Sequence, residues 1–218
     1  MNPIVVALIV VLALAVLAGA VFFIFFQGPD LSKYEALVEP RITAKSDLRV
    51  LEVRFSGKPN EVLGDAFGLL FKTYYSLPGV PKGPGQSAPA ARFEGLAELP
   101  KDAAERAKVI GKFTEKDWKG GVALPIPESV KELPAVEAKP PYQVRIAVWP
   151  YGQTAEILHK GSYESEPPTI ARLEEYIEAK GYEVRGDHEE EYLKGPGMPF
   201  VKPEDYYTII RLRVVPRK

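Results

Sequence analysis

The chain has 218 residues, with 28 lysines and arginines, 29 aspartates and glutamates, two histidines and no cysteine. A net charge of −1 excludes the basic footprint of a nucleic-acid-binding protein. Without cysteine there is no disulfide scaffold, cysteine nucleophile or cysteine-ligated metal. Two histidines are too few to complete a metal site, so we expect neither a metal nor a cofactor.

An uninterrupted apolar run covers Ile4–Phe26, and every charged residue of the chain follows it. As a helix, these 23 residues reach roughly 34 Å, enough to cross a hydrocarbon core of about 30 Å. A cleaved signal peptide is the alternative, but it needs a basic flank and a shorter core, and residues 1–3 carry no lysine or arginine. We therefore predict an uncleaved transmembrane anchor within residues 1–26.

The next segment, residues 27–47, is polar and is predicted to be a juxtamembrane linker. Its Lys33, Arg41 and Lys45 follow the span closely, whereas no cationic residue precedes the span. By the positive-inside bias, this asymmetry favours a single-pass membrane protein whose soluble domain faces the cytoplasm.

Residues 48–126 are the predicted first half of the soluble domain. Leu48–Phe55 alternates apolar and charged residues with the period of a strand. Asn60 is the predicted N-cap of a helix whose apolar positions recur every three or four residues as far as Tyr74. Three further segments are candidate strands, namely Ala91–Leu96, Ala107–Phe113 and Gly121–Ile126.

Residues 142–216, after a Pro/Glu/Lys-rich linker at 127–141, are predicted to repeat this order. The predicted elements are a strand at Tyr142–Trp149, a segment at Thr154–Leu158, a helix capped by Ser165 and closed by Gly181, and strands around Glu189–Leu193 and Tyr206–Val215. Both halves read strand–helix–strand–strand. We expect an α+β fold in which duplicated β-α-β-β units, of the SHS2 type, form an antiparallel sheet with two helices, besides the N-terminal transmembrane helix.

Four segments of the second half occur in a characteristic order, namely His159–Glu164, Ile170–Gly181, Glu190–Tyr192 and Tyr207–Pro216. Together they resemble the GyrI-like effector-binding domain, which is found alone and fused to transcription regulators. The resemblance covers residues 142–216 well and residues 48–76 by pattern alone. It implies that 48–218 is one GyrI-like small-molecule-binding domain.

One N-terminal span followed by such a domain also resembles the layout of the testis-expressed endoplasmic-reticulum-phagy receptor family. Trp149–Tyr151 and Glu190–Tyr192 fit that family too. Its domain faces the cytosol, in agreement with the predicted orientation. Its adaptor motif lies in a long tail, and this chain stops two residues after Pro216, so the adaptor role is not carried over.

The GyrI-like resemblance implies a ligand site at Glu190. In that family the glutamate of a Glu-x-Tyr motif lies in a central cleft and pairs with cationic, aromatic ligands. The strand period of two places Tyr192 on the same face as Glu190. The other candidate ligand contacts are aromatic residues that supply cation–π contacts worth about 0.5–2 kcal/mol each, namely Tyr163, Trp149, Tyr151 and Trp118.

Two simpler interpretations stay open at this point. Glu189–Glu191 is also explained by a solvated acidic edge, and His159 by a surface or turn residue. His188 lacks the second histidine of a zinc helix, so no metal ligands are expected.

Three functions follow from the sequence. The leading one is a membrane-tethered sensor or sequestering domain for amphipathic, cationic or aromatic small molecules. The second is a hydrolase of electrophilic small molecules in which Glu190 and Tyr163 or Tyr192 act as acid and base. The third is a membrane-anchored adaptor without a small ligand, which presents the Pro-rich segments 77–90 and 127–141. With aromatic rings and one carboxylate as the expected chemistry, binding is favoured over catalysis, and no catalytic residue is assigned.

Overall fold

The computed structural model describes residues 30–95 and 117–217, and the structural statements below concern these residues. The elements in chain order are β1 (Arg41–Lys45), β2 (Leu48–Gly57), α1 (Pro59–Ser76), β3 (Ala90–Phe93), β4 (Trp118–Pro125), β5 (Gln143–Trp149), β6 (Gly152–Lys160), α2 (Pro167–Ala179), β7 (Tyr182–Lys194) and β8 (Tyr207–Pro216). The predicted span at Ile4–Phe26 and the candidate strand at Ala107–Phe113 lie outside the described residues. Inside the two described ranges, none of the helices combines the length and the apolarity that crossing a bilayer requires.

The strands form one sheet in the order β1-β6-β8-β7-β3-β4-β2-β5, and each neighbouring pair is antiparallel. This arrangement confirms the predicted α+β class with a single antiparallel sheet. Both α-helices pack on the same face of the sheet. The buried residues under α1 include Leu51, Val53, Phe55, Val122 and Leu124, and those under α2 include Ala155, Ile157, Ile210 and Leu212.

The repeated units are β2-α1-β3-β4 and β6-α2-β7-β8, and the pairing of β3 with β7 joins them. The remaining two strands are exchanged between the units. Strand β1, which precedes the first unit, pairs with β6 of the second unit, and β5, which precedes the second unit, pairs with β2 of the first. Strand β5, predicted as Tyr142–Trp149, is therefore the equivalent of β1 in the second repeat. The expectation that it is equivalent to Leu48–Phe55, which forms β2, is wrong. Periodicity reports which face of a strand is buried and carries no information about which strand lies beside it.

The connections between β1 and β2 and between β5 and β6 require a curled sheet. In each case two residues join strands that lie six positions apart, a distance of roughly 29 Å across a flat sheet. The backbone N–H of Tyr151 donates to Oδ1 of Asp47 at 3.0 Å, so the two connections meet. They lie over the face that does not carry the helices, where Pro150 accepts a hydrogen bond from Arg92.

Both helices begin with a proline, which suits the first turn because the missing N–H needs no partner there. Helix α1 starts at Pro59 after Lys58, so the predicted N-cap role of Asn60 is wrong. Helix α2 starts at Pro167 with Glu166 in the cap position, so Ser165 is not the cap and instead ends a 3-10 turn.

The end of α2 follows the prediction. Gly181 has a φ of +75° and its N–H donates to the carbonyl of Glu178 at 2.9 Å. The segment 27–47, predicted to be a linker, contains a 3-10 helix at Ser32–Val38 as well as β1. Five residues of strand are too few for their alternation to stand out in the sequence.

Candidate functional site

The centre of the sheet lies between the two helices and carries polar side chains on the helix-facing side. Glu190 on β7 pairs with Ala91 on β3, and Tyr192 on β7 pairs with Thr208 on β8. Thr208 in turn pairs with His159 on β6. Residues that pair directly share a face of the sheet, so these side chains lie together on the strip of the sheet between α1 and α2, which is called the cleft below.

The Glu190 carboxylate is held by its strand neighbours. Tyr192 donates its hydroxyl to one oxygen at 2.8 Å, and Nε2 of His188 lies 2.9 Å from the other oxygen. Only 12% of the Glu190 side chain is exposed. With Glu189 2% exposed as well, the hypothesis of a solvated acidic edge is wrong.

Four aromatic rings form a row beside Glu190. Tyr192 packs edge-to-face against Phe67 of α1 at 5.7 Å and against Tyr163 at 5.8 Å between centroids. Tyr163 also contacts Tyr206 at 5.2 Å. Burial, and after it the charge of Glu190, raises the pKa of both Tyr163 and Tyr192, so their hydroxyls keep their protons.

Glu166 is a second acid in this cleft, and it was not among the residues that the sequence indicated. It is 5% exposed, and burial followed by the nearby charges of Glu190 and Glu164 raises its pKa to about 10. Its Oε1 has no hydrogen-bond partner in the described part of the chain, and the same is true of the Thr208 hydroxyl. A glutamate before two prolines at a helix start is normally explained by a favourable charge at the helix N-terminus, so no sequence signal marked it as buried.

His159 is buried, at 3% exposure, so its predicted place at the surface is wrong. Its Nδ1 lies 2.9 Å from the Thr169 hydroxyl and its Nε2 lies 3.0 Å from the carbonyl oxygen of Ser162. A carbonyl only accepts, so Nε2 carries the proton and Nδ1 accepts from Thr169. Burial lowers the pKa of His159, which keeps the ring neutral while it ties β6 to the turn before α2.

Trp149 and Tyr151 lie on the opposite face of the sheet from Glu190. Trp149 donates Nε1 to Glu52 at 3.1 Å, and Tyr151 donates its hydroxyl to Glu189 at 2.8 Å. The guanidinium of Arg92 lies between their rings, 4.3 Å from the Trp149 centroid and 4.7 Å from that of Tyr151.

The predicted ligand contacts therefore divide into groups. Glu190, Tyr192 and Tyr163 come together in the cleft, whereas Trp149 and Tyr151 pack on the other face. Trp118 pairs with Gly57 at the start of β4, away from both.

The face that carries Trp149 and Tyr151 also holds a network of paired charges. Arg211 bonds to Glu156 at 3.0 Å and to Glu189 at 3.1 Å, and it reaches Glu191 as well. Glu52 pairs with Arg145 at 2.6 Å. A small cavity of about 120 Å³ lies here, lined in part by Arg92, Tyr151, Glu189, Arg211 and Arg213. The carboxylates of this face are neutralised within the protein, so they contribute to structure.

No protein-family model and no curated protein matches the chain. Solved structures do match its fold. A hydrolase from Listeria innocua gives a TM-score of 0.57 at 18% identity, over 86% of this chain and 100% of that one. An uncharacterised conserved protein from Listeria innocua gives 0.59 at 19% identity, over 86% and 100%. The C-terminal domain of EcmrR gives 0.52 at 14% identity, over 82% and 98%.

These similarities support the GyrI-like effector-binding fold that the sequence predicted. Identities of 19% and below concern the fold alone. The likeness in layout to the endoplasmic-reticulum-phagy receptor family, and the membrane anchor, gain no support from them and stay predictions.

Proposed function

We propose that this chain binds amphipathic small molecules with a cationic, aromatic part in the cleft between α1 and α2, with Glu190 as the group that receives the positive charge. The proposal goes beyond small-molecule binding, which the fold suggests, to the chemistry of the ligand. It is carried by one contrast among glutamates on the strands of the sheet. Glu52, Glu156, Glu189 and Glu191 each bond to an arginine, whereas Glu190 contacts no lysine or arginine in the described part of the chain.

A carboxylate with little exposure to water and no lysine or arginine partner favours a cationic ligand, because the ligand supplies the positive charge that an arginine supplies to the other glutamates. The row of rings beside it favours an aromatic or lipophilic one. Each ring offers an apolar surface and a negative face, and a cation over such a face gains about 0.5–2 kcal/mol. Both features lie within contact distance of the same side chain, Tyr192.

Uptake requires the rings to separate, since Tyr192 touches both Phe67 and Tyr163. Tyr163 is the ring that moves in this proposal, because it belongs to a 3-10 turn of three residues, whereas Tyr192 is part of a central strand. Three-residue turns have few backbone hydrogen bonds to break.

Hydrolysis of an electrophilic small molecule is a second candidate. The structural neighbour from Listeria innocua described as a hydrolase motivates it, and so does the presence of two unlike carboxyl groups in one cleft. Glu166 keeps a proton at neutral pH, so it is suited to be the acid, and Glu190 to be the base.

The proposed setting is a membrane surface. Residues 4–26 would anchor the chain, with the domain on the cytoplasmic side, where it would sense or sequester lipophilic cations. Protease accessibility of the domain in closed vesicles tests the orientation.

Calorimetric titration of the full chain in detergent tests the ligand class, with N-benzylquinolinium as the cation and 3-benzylquinoline as its neutral analogue. We expect the cation to bind at least tenfold more tightly than the neutral compound, and Glu190→Gln to remove that difference. Glu191→Gln, on the opposite face, is the matched control and should keep it. Equal binding of both compounds to the unmodified chain would contradict the proposal. Turnover of an electrophilic ester that is lost in Glu190→Gln would instead favour the hydrolase.

A further inference from the structure

Two buried polar atoms at the α2 end of the cleft have no hydrogen-bond partner among the residues described. They are Oε1 of Glu166 and the hydroxyl oxygen of Thr208, whose residues are 5% and 0% exposed. Native proteins rarely leave such atoms unpaired, because each one costs the free energy of its lost hydration. Two of them on one side of a proposed ligand cleft point to a polar group of the ligand.

Glu166 caps α2 through its backbone and not through its side chain. As the cap residue of α2, Glu166 uses its carbonyl oxygen to accept the N–H groups of Thr169 and Ile170, at 2.8 and 3.0 Å. Its side chain makes no cap hydrogen bond. It is instead buried beside the aromatic row, close enough for its ionised form to raise the pKa of Tyr163 and Tyr192.

Glu166 is a neutral acid at physiological pH. Burial is the main cause, and the charges of Glu190 and Glu164 add to it, so that its pKa rises to about 10. Two neighbouring carboxyl groups in a site of low polarity do not both ionise. Glu166 therefore carries an O–H donor, beside a hydroxyl of Thr208 that donates as well.

We propose that Glu166, together with Thr208, donates a hydrogen bond to the ligand, so that the cleft selects amphipathic cations that also carry an uncharged acceptor such as a carbonyl or ether oxygen. The proposal rests on the proposed function, because it places the cationic part of the same ligand at Glu190. It adds a second recognition point at the α2 end of the cleft.

A ligand with a second positive charge suits the site less well. Such a ligand would need Glu166 in its ionised form, and the raised pKa keeps Glu166 protonated at pH 7. A neutral acceptor accepts the existing proton and meets no such penalty. It also satisfies a donor that has no partner among the described residues.

Matched probes test the proposal. The parent probe is N-benzylquinolinium, and its three partners are the 2-, 3- and 4-acetylbenzyl isomers, which add a carbonyl at different positions. We expect at least one isomer to bind the full chain fivefold or more tightly than the parent. Glu166→Gln keeps an N–H donor and should retain the preference. Glu166→Leu should abolish it, and Glu164→Gln, at an exposed position of the same turn, should leave it unchanged.

Infrared spectroscopy provides a readout that a structural role would not affect. The protonated acid of Glu166 should give a carboxylic C=O band at pH 7 that disappears in Glu166→Gln and shifts when the preferred isomer binds. Absence of that band overturns the proposal, even if Glu166→Leu fails to fold. Equal affinity for the parent and all isomers also overturns it, while the proposed function stands. If no quinolinium binds the unmodified chain, both proposals fail.

Discussion

Glu190 and Ala91 lie directly opposite each other in the ladder between β7 and β3, and they are also equivalent positions of the two repeated units. The equivalence follows from Glu52 and Glu156, each of which pairs with an arginine on an exchanged strand. The ladders lead from these two glutamates to Ala90 in one unit and to Glu189 in the other, so the residues that follow them, Ala91 and Glu190, are equivalent as well. One unit therefore contributes a carboxylate and the other a methyl group to the centre of the cleft.

Replacing Ala91 by glutamate should add a second carboxylate beside that of Glu190, in a site with little water. The Cβ atoms of the two residues would be about 5 Å apart. We expect a loss of about 1–3 kcal/mol of stability relative to Ala91→Gln, which has nearly the same volume and no charge. Chemical unfolding at pH 7 measures the difference. It should shrink as the pH falls to 4, and a difference that does not depend on pH would show that crowding, and not charge, is responsible.

Glu166→Gln should make the protein more stable above pH 5. The folded-state pKa of Glu166 is raised to about 10 from an ordinary value near 4.5. The stability that the protonated Glu166 contributes is therefore fully present below pH 4.5 and is lost as the pH rises towards 10. The advantage of Glu166→Gln should grow by about 1.4 kcal/mol per pH unit between pH 5 and pH 8. Parallel unfolding curves across this range would contradict the buried, protonated state.

Glu156→Gln should have the opposite pH dependence. Burial raises the pKa of Glu156, but the hydrogen bonds and charges of Arg211, Arg41 and Lys45 outweigh it and leave that pKa below its ordinary value. Its stabilisation is therefore present above pH 4.5 and is lost as the pH falls through the lower folded-state value. We expect Glu156→Gln to lose about 3–5 kcal/mol at pH 7, because Arg211 stays buried, and less at pH 3. Glu178→Gln, in the exposed pair with Arg217, should change stability by less than about 1 kcal/mol.

Tyr163→Ala should weaken binding of N-benzylquinolinium by about 2- to 30-fold, because it removes one ring from the aromatic row and with it about 0.5–2 kcal/mol of cation–π contact. Tyr75→Ala removes an exposed ring of α1 that lies outside the row and should leave the affinity unchanged. Equal effects of the two substitutions would mean that the cation does not contact Tyr163.

The parts that the sequence predicted are those decided by local periodicity. Alternation placed the strands that became β2, β5 and β8, and it put Glu190 and Tyr192 on one face, where the structure has them. The exchange of β1 and β5 could not be predicted, because no local sequence pattern indicates which strand is the neighbour of another in the sheet. For the same reason, Trp149 and Tyr151 were grouped with Glu190 although they face the opposite side.

Glu166 shows a different limit. Its burial depends on how the turn after β6 packs against β7 and β8, and a glutamate at a helix start is ordinarily solvated. Only the unpaired Oε1 and the nearby Glu190 distinguish it, and both are properties of the folded chain.

The exchanged strands also determine when a ligand can first be captured during protein synthesis. Strand β1 is made early, yet its partner β6 appears more than a hundred residues later, and β8, the last strand, fits between β6 and β7. Until β8 has left the ribosome, β7 lacks its neighbour on one side, and the cleft lacks Thr208, which belongs to β8. A nascent chain therefore has no assembled cleft, and ligand capture belongs to the finished protein.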